Sequence, residues 1–266
     1  MFSEDVSAAA KAIAFAAGCI LLSPATGAAQ KTVAIAEDLS ANAIVLKVKM
    51  GTQWPGRVAK WRFGDYAVGS SKAGAVKSKE KSNLLGTRGQ TSGSQRFSFV
   101  MKGPTPETAK VDAVHAAGAE ISQSVPIAGF ITLGNDELIE ATDLLSASIS
   151  FSDDPADAWT MLRIVKAAQQ EEDDLWEFYL TNGRRKLLIE GVESRLSDGS
   201  PDPNPAAGYE ISEDGKSLAA LQINPLKWYQ GVPSWFVYLR QDLEPRMKLL
   251  LAAAMTVILH ASTTGF

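Results

Sequence analysis

The chain has 266 residues, a net charge of -4 and a hydrophobic share of 45%. These values are typical of a globular protein, and the mild acidity argues against a general nucleic-acid binder. One Cys and two His exclude a disulfide scaffold and leave too few ligands for most zinc sites. The composition therefore predicts one large domain or two small ones, with no metal, no cofactor and no nucleic acid as partner.

The first 29 residues differ from the rest of the chain. A single basic residue, Lys11, precedes an apolar run over residues 12–22, and small residues follow up to Ala29. This order is typical of a signal peptide, and the run is shorter than the about 20 residues of a membrane-spanning helix. We therefore expect cleavage after Ala29 and export to the periplasm or cell envelope. An Ala-rich amphipathic helix of a cytosolic protein is the alternative, because two acids lie in the leading segment.

Cys19 is the only cysteine and follows Ala16, Ala17 and Gly18. This order partly resembles the bacterial lipobox, in which the cysteine becomes the lipidated N-terminus of a lipoprotein. Lipidation at Cys19 would anchor the protein to a membrane. Cleavage after Ala29 would instead leave a mature chain without cysteine, which suits an oxidising compartment. The sequence leaves both forms open.

From residue 31 onward the sequence predicts many short strands. Apolar or alternating segments recur at residues 43–50, 58–68, 95–102, 146–152, 159–165, 176–180, 187–192 and 235–239. Asn182-Gly183 and Asp214-Gly215 lie between such segments and predict hairpins, because both central residues of a type I′ turn need positive φ. Frequent strands without a βαβ rhythm are typical of an antiparallel sandwich or barrel.

Residues 242–261 break the β pattern and predict a helix. Pro245 suits the first turn of a helix, and every residue from Leu249 to Leu259 except Thr256 is apolar. A helix that is apolar on all sides lies in a protein core or in a membrane. Because this run spans only about 16 Å, too little for a bilayer, we expect a helix enclosed by the sheet. A short C-terminal membrane tail is the alternative.

Strands followed by such a helix resemble the tubby C-terminal-like superfamily, which includes tubby proteins, phospholipid scramblases and LURP-one-like proteins. The segments that carry the resemblance are Phe97-Ser98-Phe99-Val100, Tyr209-Glu210 and the helix from Arg246 to His260. The resemblance covers residues 31–266 and implies about twelve strands wrapped around a central C-terminal helix. Tubby-like domains bind phosphoinositides, but no ligand residue of that family carries over position by position.

Local strings also resemble proteobacterial exported proteins or lipoproteins without an assigned activity. The strings are Trp61-Arg62-Phe63-Gly64, Leu180-Thr181-Asn182-Gly183 and Leu251-Ala252-Ala253-Ala254-Met255-Thr256. This resemblance implies a compartment and no chemistry.

The search for catalytic residues leaves few candidates. His115 and His260 are the only histidines, and no Gly-x-Ser-x-Gly elbow accompanies them. We interpret His115 as a strand residue and His260 as a helix-terminal residue. The acidic runs at Asp153-Asp154 and at residues 171–174 lack the spacing of a calcium loop, and we interpret them as solvated loops. The sequence thus predicts neither catalytic nor metal-binding residues.

Charge is distributed unevenly along the chain. Residues 31–110 carry 14 Lys and Arg against five acids, for +9, whereas residues 111–266 carry 11 against 23, for -12. A basic stretch favours anionic lipid, at about 1 kcal/mol per Lys or Arg near a membrane surface. The candidate ligand-binding residues are Arg57, Lys60, Arg62, Lys72, Lys77, Lys79 and Arg88. The alternative is that the two halves interleave in a barrel and that their charges pair or are solvated.

These observations predict a signal peptide over residues 1–29 and a single β-rich domain over residues 30–266. The expected fold is a mainly β antiparallel barrel, or a strongly bent sheet of many short strands, around a hydrophobic C-terminal helix. The expected function is non-enzymatic: an envelope protein that binds anionic lipid or a membrane surface through its basic region. Trp54 and Trp61 are candidate interfacial aromatics, with core packing as the alternative.

Two other functions stay open. The first is a structural or assembly factor that binds other envelope proteins through sheet edges or through the aromatic residues between Trp228 and Tyr238. The second is a hydrolase with an unrecognised carboxylate pair.

Overall fold

The structure is a computed structural model that describes residues 33–82, 89–117, 120–121, 125–127, 131–133, 139–166, 177–195, 200, 206–224 and 234–264. Every described residue belongs to a single compact unit, Lys31–Phe266. The predicted signal peptide, the lipidation candidate Cys19 and the ligand-binding candidate Arg88 lie outside the described residues. The side chain of Lys79 lies outside them as well.

The described residues form sixteen strands and two helices. The strands are β1 (Ala43–Met50), β2 (Trp61–Phe63), β3 (Tyr66–Ala73), β4 (Lys77–Ser82), β5 (Gly89–Lys102), β6 (Thr108–Ala117), β7 (Glu120–Ile121), β8 (Val125–Ile127), β9 (Ile131–Leu133), β10 (Ile139–Phe151), β11 (Ala158–Lys166), β12 (Glu177–Thr181), β13 (Lys186–Glu193), β14 (Ala207–Glu213), β15 (Lys216–Ile223) and β16 (Trp235–Arg240). The helices are α1 (Glu37–Asn42) and α2 (Pro245–Thr263).

Twelve of these strands form a closed antiparallel barrel. The order around the ring is β1, β2, β3, β5, β6, β10, β11, β12, β13, β14, β15 and β16, and β16 pairs with β1. Strand β4 pairs with β5 and β7 pairs with β10 outside the ring, while β8 and β9 form a separate hairpin. The predicted mainly β antiparallel barrel around a C-terminal helix is therefore confirmed.

Helix α2 lies inside the barrel. All residues from Leu249 to Ala261 are buried, and the helix contacts β5, β6, β10 and β16. A ring of many strands leaves an interior too wide for its own side chains to fill, so a helix that is apolar on all sides completes the core. Among the described helices, none combines the length and the hydropathy that a membrane span requires.

Three turns show where the sequence patterns were right and wrong. Asp214 and Gly215 have φ of 50° and 76°, which confirms the predicted type I′ hairpin between β14 and β15. The hairpin predicted at Asn182-Gly183 is confirmed by the pairing of β12 with β13, but the type I′ turn is wrong, because Thr181 pairs with Lys186 across a longer loop. Asn182 instead accepts backbone hydrogen bonds through its Oδ1, from the amides of two following residues at 3.1 and 2.9 Å.

The segment 58–68 also differs from its sequence pattern, because it does not form one continuous strand. It reads as one apolar run, but a turn at Gly64, with φ of 54°, separates β2 from β3. A Cβ at Gly64 would also lie 3.0 Å from the Leu46 side chain, so this position favours glycine for two reasons.

Candidate anion-binding face

The described candidates for ligand binding lie on neighbouring strands and on the loops that join them. Arg57 and Lys60 lie in the loop between β1 and β2, Arg62 lies on β2, Lys72 on β3, and Lys77 is the first residue of β4. All five residues are exposed. Because β1, β2, β3 and β5 are consecutive in the barrel, the fold brings this basic stretch to one flank of the molecule.

A row of cations crosses four consecutive strands on this flank. Lys49 of β1 lies opposite Arg62 of β2, which lies opposite Ala67 of β3. Ala67 in turn lies opposite Lys102 of β5. Successive residues of a strand alternate between its two faces, and the chain neighbours Val48 and the residues on either side of Arg62 are buried. The three cations therefore lie on the outer surface of the barrel.

We use the name basic face for the exposed cations of this flank. They are Lys47, Lys49, Arg57, Lys60, Arg62, Lys72, Lys77, Arg96 and Lys102. Within the described part of the chain, none of their nitrogen atoms lies within 4.0 Å of a carboxylate oxygen. Since like charges directly opposite each other, such as Lys49 and Arg62, destabilise a sheet, the barrel itself gains nothing from this arrangement.

Trp54 and Trp61, the two candidate interfacial aromatics, have different environments. Trp54 is 59% exposed in the loop between β1 and β2, where its carbonyl accepts a 3.2 Å hydrogen bond from the Arg57 amide. Met50, at the start of that loop, is 42% exposed. Trp61 is fully buried, and its ring meets that of Trp235 edge-on with centroids 5.3 Å apart. The interfacial role proposed for Trp61 is therefore wrong, because this side chain packs in the core.

The sequence-based candidate set omitted the two end members of the row, Lys49 and Lys102. The sequence did contain a signal for Lys49. In the segment 43–50, Lys47 and Lys49 are two residues apart and share a strand face. What the sequence lacked was the register that brings Lys49 beside Arg62.

Arg246, at the end of the barrel where α2 begins, is surrounded by carboxylates. Arg246 Nε lies 2.8 Å from Glu107 Oε1, and its Nη2 lies 2.5 Å from Asp153 Oδ2. Burial raises the pKa of Glu107, and its hydrogen bond with Asp153 acts in the same direction. Asp153, interpreted from the sequence as part of a solvated loop, is an ion-pair partner of Arg246. This group attaches the first turn of α2 to the ends of β6 and β10.

A second polar group faces the barrel interior at the opposite end of α2. His115 Nε2 lies 3.3 Å from Asp143 Oδ1, and Asp143 Oδ2 accepts a 2.7 Å hydrogen bond from Arg163 Nη2. Burial acts to raise the pKa of Asp143, but His115 and Arg163 outweigh it and leave that pKa below its usual value. Burial also lowers the pKa of His260 to about 4, with His115 adding to the effect.

This interior group does not resemble a metal centre. Within the described residues, no set of three or more His, Cys, Asp or Glu side chains is placed to hold a metal ion. His260 packs edge-on against Phe97, with ring centroids 4.3 Å apart, in the way of a core residue.

The aromatic residues nominated for protein contacts are only partly described. Trp228 lies outside the described residues, and Trp235 and Tyr238 are buried. Tyr238 Oη donates a 2.9 Å hydrogen bond to Gln222 Oε1. These two side chains are therefore part of the packed interior and do not offer a contact surface.

Comparisons of the chain with protein-family models, with curated proteins and with solved structures found no match. The resemblance to the tubby-like superfamily stays a prediction, because a twelve-stranded barrel does not by itself identify that superfamily.

Proposed function

We propose that this protein binds anionic lipid surfaces through the basic face. The observation that carries the proposal is the row of Lys49, Arg62 and Lys102, three exposed cations on β1, β2 and β5 without a carboxylate partner among the described residues. Each such cation contributes about 1 kcal/mol near an anionic leaflet. Three together correspond to about a hundredfold in affinity, without a contribution from the rest of the face.

The exposed apolar side chains at the edge of the basic face support a lipid surface over a soluble polyanion. Met50 follows Lys49 in the chain, and Trp54 lies three residues before Arg57. Both are among the exposed large apolar side chains described. An exposed tryptophan flanked by cations suits the boundary between headgroups and acyl chains.

We place this binding in the cell envelope, as an exported periplasmic or lipid-anchored protein. The support is the sequence pattern of residues 1–29 and the lipobox-like order before Cys19. The proposal is non-enzymatic, since binding needs no more than exposed charge and a rigid barrel.

Charge reversal of the row tests the proposal. The test protein carries Lys49→Glu, Arg62→Glu and Lys102→Glu, and the full chain is sedimented with phosphatidylglycerol–phosphatidylcholine vesicles. We expect affinity to fall by at least about a hundredfold, and binding of the unaltered protein to weaken with salt.

The matched control reverses three exposed cations on the far side of the barrel, Arg184→Glu, Lys186→Glu and Arg195→Glu. It changes the net charge by the same amount, and we expect its affinity to stay within about threefold of the original. Equal losses in the two triple variants would contradict a localised face, and unchanged binding of the first would contradict the proposal altogether.

An assembly role has one specific observation in its favour. Ile44 and Val45 at the start of β1 are 42% and 52% exposed, and β2 pairs only with Lys49 and Met50. Over residues 43–48 the described partner of β1 is β16 alone, so one edge of this stretch is available for strand addition. Substitution of Val45 by Lys is expected to abolish such pairing, measured by pull-down, and to leave vesicle binding intact.

A further inference from the structure

A bulge in β3 opens a cleft within the basic face. The pairing of β3 with β5 shifts by one residue between Val68 and Ser71, which places Gly69 and Ser70 opposite the single residue Val100. An extra residue bends its strand and interrupts the hydrogen-bond ladder. The cleft beside this bulge has a volume of about 350 Å³ and opens on the outer surface, between β3, β5 and β6.

Hydroxyl and ammonium groups line this cleft. Ser70 and Lys72 come from β3, Ser98 from β5 and Lys110 from β6. Lys72 lies directly opposite Ser98 in the strand register. In the described part of the chain, the hydroxyls of Ser70 and Ser98 form no hydrogen bond with another protein group. The cleft therefore holds donors that the fold leaves unused.

A third cation, Lys102, lies beside the cleft because residue 69 is a glycine. A Cβ at Gly69 would lie 3.1 Å from Cε of Lys102, so the absence of a side chain lets the Lys102 stem cross the bulge. Its ammonium nitrogen is one bond beyond that Cε. Lys72 and Lys110 thus line the cleft together with two serine hydroxyls, and Lys102 lies beside it. This set of donors suits the oxygens of a tetrahedral anion.

One carboxylate in the cleft narrows the choice of anion. Asp112 lies opposite Ser98 in the register, and its Oδ2 is 2.9 Å from Lys110 Nζ. A carboxylate repels a bound anion unless the anion carries a proton that it can donate to the carboxylate. Inorganic phosphate keeps a proton at neutral pH, whereas sulfate has none.

We propose that this cleft binds a protonated phosphate group, with Lys72, Lys102, Lys110, Ser70 and Ser98 as donors and Asp112 as the acceptor of the phosphate proton. The inference deepens the proposed function and rests on it where the phosphate belongs to a lipid. Two sources share this chemistry: the phosphomonoester headgroup of phosphatidate and free inorganic phosphate.

The first experiment titrates the full chain with inorganic phosphate and with sulfate at equal ionic strength, followed by calorimetry. We expect phosphate to bind and sulfate to bind at least about tenfold more weakly. Asp112→Asn should reduce that ratio about tenfold, because an amide can donate to a fully deprotonated anion. Equal affinity for the two anions in the original protein would overturn the assignment of Asp112.

Ser98→Leu fills the cleft without changing charge, and Ser148→Leu makes the same change one strand beyond Asp112. The first variant should lose phosphate binding by at least about tenfold and the second should keep it. Should Ser98→Leu fail to fold, Lys72→Gln compared with Lys47→Gln, outside the cleft, gives the same test. Equal effects within a pair would overturn the cleft as the site.

The second experiment distinguishes a phosphatidate headgroup from free inorganic phosphate as the ligand. It also distinguishes failure of the cleft proposal from failure of the proposed lipid function. Vesicles carry either phosphatidate or an equal charge of phosphatidylglycerol, whose diester phosphate has no proton at neutral pH. A phosphatidate preference of about fivefold or more, lost in Ser98→Leu, supports a headgroup ligand. Phosphate binding without vesicle binding supports the free anion and contradicts the proposed lipid function. Equal vesicle binding without phosphate binding overturns the cleft and leaves the lipid function standing.

Discussion

Two sets of cations in the barrel differ in their partners. Arg163, Arg185 and Arg246 each lie within 2.7 Å of a carboxylate oxygen, whereas Lys49 and Arg62 have no such partner among the described residues. The paired arginines join neighbouring strands or attach α2 to the barrel, and so contribute to stability. The unpaired cations are exposed on a rigid sheet and make no comparable contribution. We infer that the paired arginines serve the structure and that the unpaired cations of the basic face serve recognition.

The largest expected effect is a loss of stability in acid. It comes from the polar group in the barrel interior and not from the basic face. The pKa of His260 is about 4 in the folded chain against about 6.5 when exposed, so the unfolded chain binds more protons between these values. The free energy of unfolding should fall by about 3 kcal/mol as the pH falls from about 6.5 to about 4. The lowered pKa of Asp143 continues this loss in more acidic solution.

Urea unfolding at a series of pH values measures this effect. His260→Leu should flatten the profile in that pH window, whereas Lys49→Gln, on the basic face, should leave its slope unchanged. A profile that is equally steep in His260→Leu would show that another group is responsible.

The next effect concerns the interior ion pair. Arg163→Met removes the guanidinium that donates to Asp143 and leaves its carboxylate half-buried beside His115 alone. We expect the free energy of unfolding to fall by about 2 kcal/mol, less than for a fully buried pair because Asp143 is partly solvated. Lys102→Met, the same kind of change on the basic face, should change stability by less than about 0.5 kcal/mol. Urea unfolding measures both variants. Similar losses of stability in the two would contradict the view that Arg163 is structural and Lys102 is not.

A smaller effect is expected at the surface pair of Arg185 and Glu213. Arg185 donates to both carboxylate oxygens of Glu213, at 2.6 and 2.5 Å. Arg185 is exposed, so a double-mutant cycle with Arg185→Gln and Glu213→Gln should give a coupling energy of about 0.5–1 kcal/mol. A coupling energy near zero would show that the bidentate contact between Arg185 and Glu213 does not stabilise the fold.

The smallest effect on stability has the opposite sign. Lys49→Gln removes the repulsion between Lys49 and Arg62 on adjacent strands, so stability should rise by about 0.3 kcal/mol. The same substitution should weaken vesicle binding about fivefold. Thermal unfolding and vesicle sedimentation on the same protein check both effects. A loss of stability would mean that Lys49 has a structural partner after all.

The sequence predicted some elements well because their cause is local. Alternation over residues 43–50 matches β1, and the all-apolar run before His260 matches the buried part of α2. The Asp214-Gly215 turn follows from positive φ at two adjacent residues. The turn at Gly64 was missed because the apolar pattern continues across it. The positive φ of Gly64 and the close approach of Leu46 are visible only in the structure.

The candidate site was predicted in composition and not in arrangement. Arg62 and Lys72 were identified from the excess of basic residues, and both lie on the basic face. The roles of Trp54 and Trp61 were not separable, since each is an aromatic residue near basic ones in the chain. Burial of Trp61 against Trp235 depends on a contact between distant strands.

By itself, the sequence determined the kinds of elements and the sign of the charge, because periodicity, turn conformation and residue type are properties of neighbouring residues. Tertiary structure alone decided which charges meet. The register of β1, β2, β3 and β5 aligns Lys49, Arg62 and Lys102, and the bulge after Val68 opens the cleft that Lys72 and Lys110 line. The entry of α2 into the barrel brings Arg246 to Glu107. Closing a barrel joins residues that are far apart in the chain, and no local pattern encodes those distances.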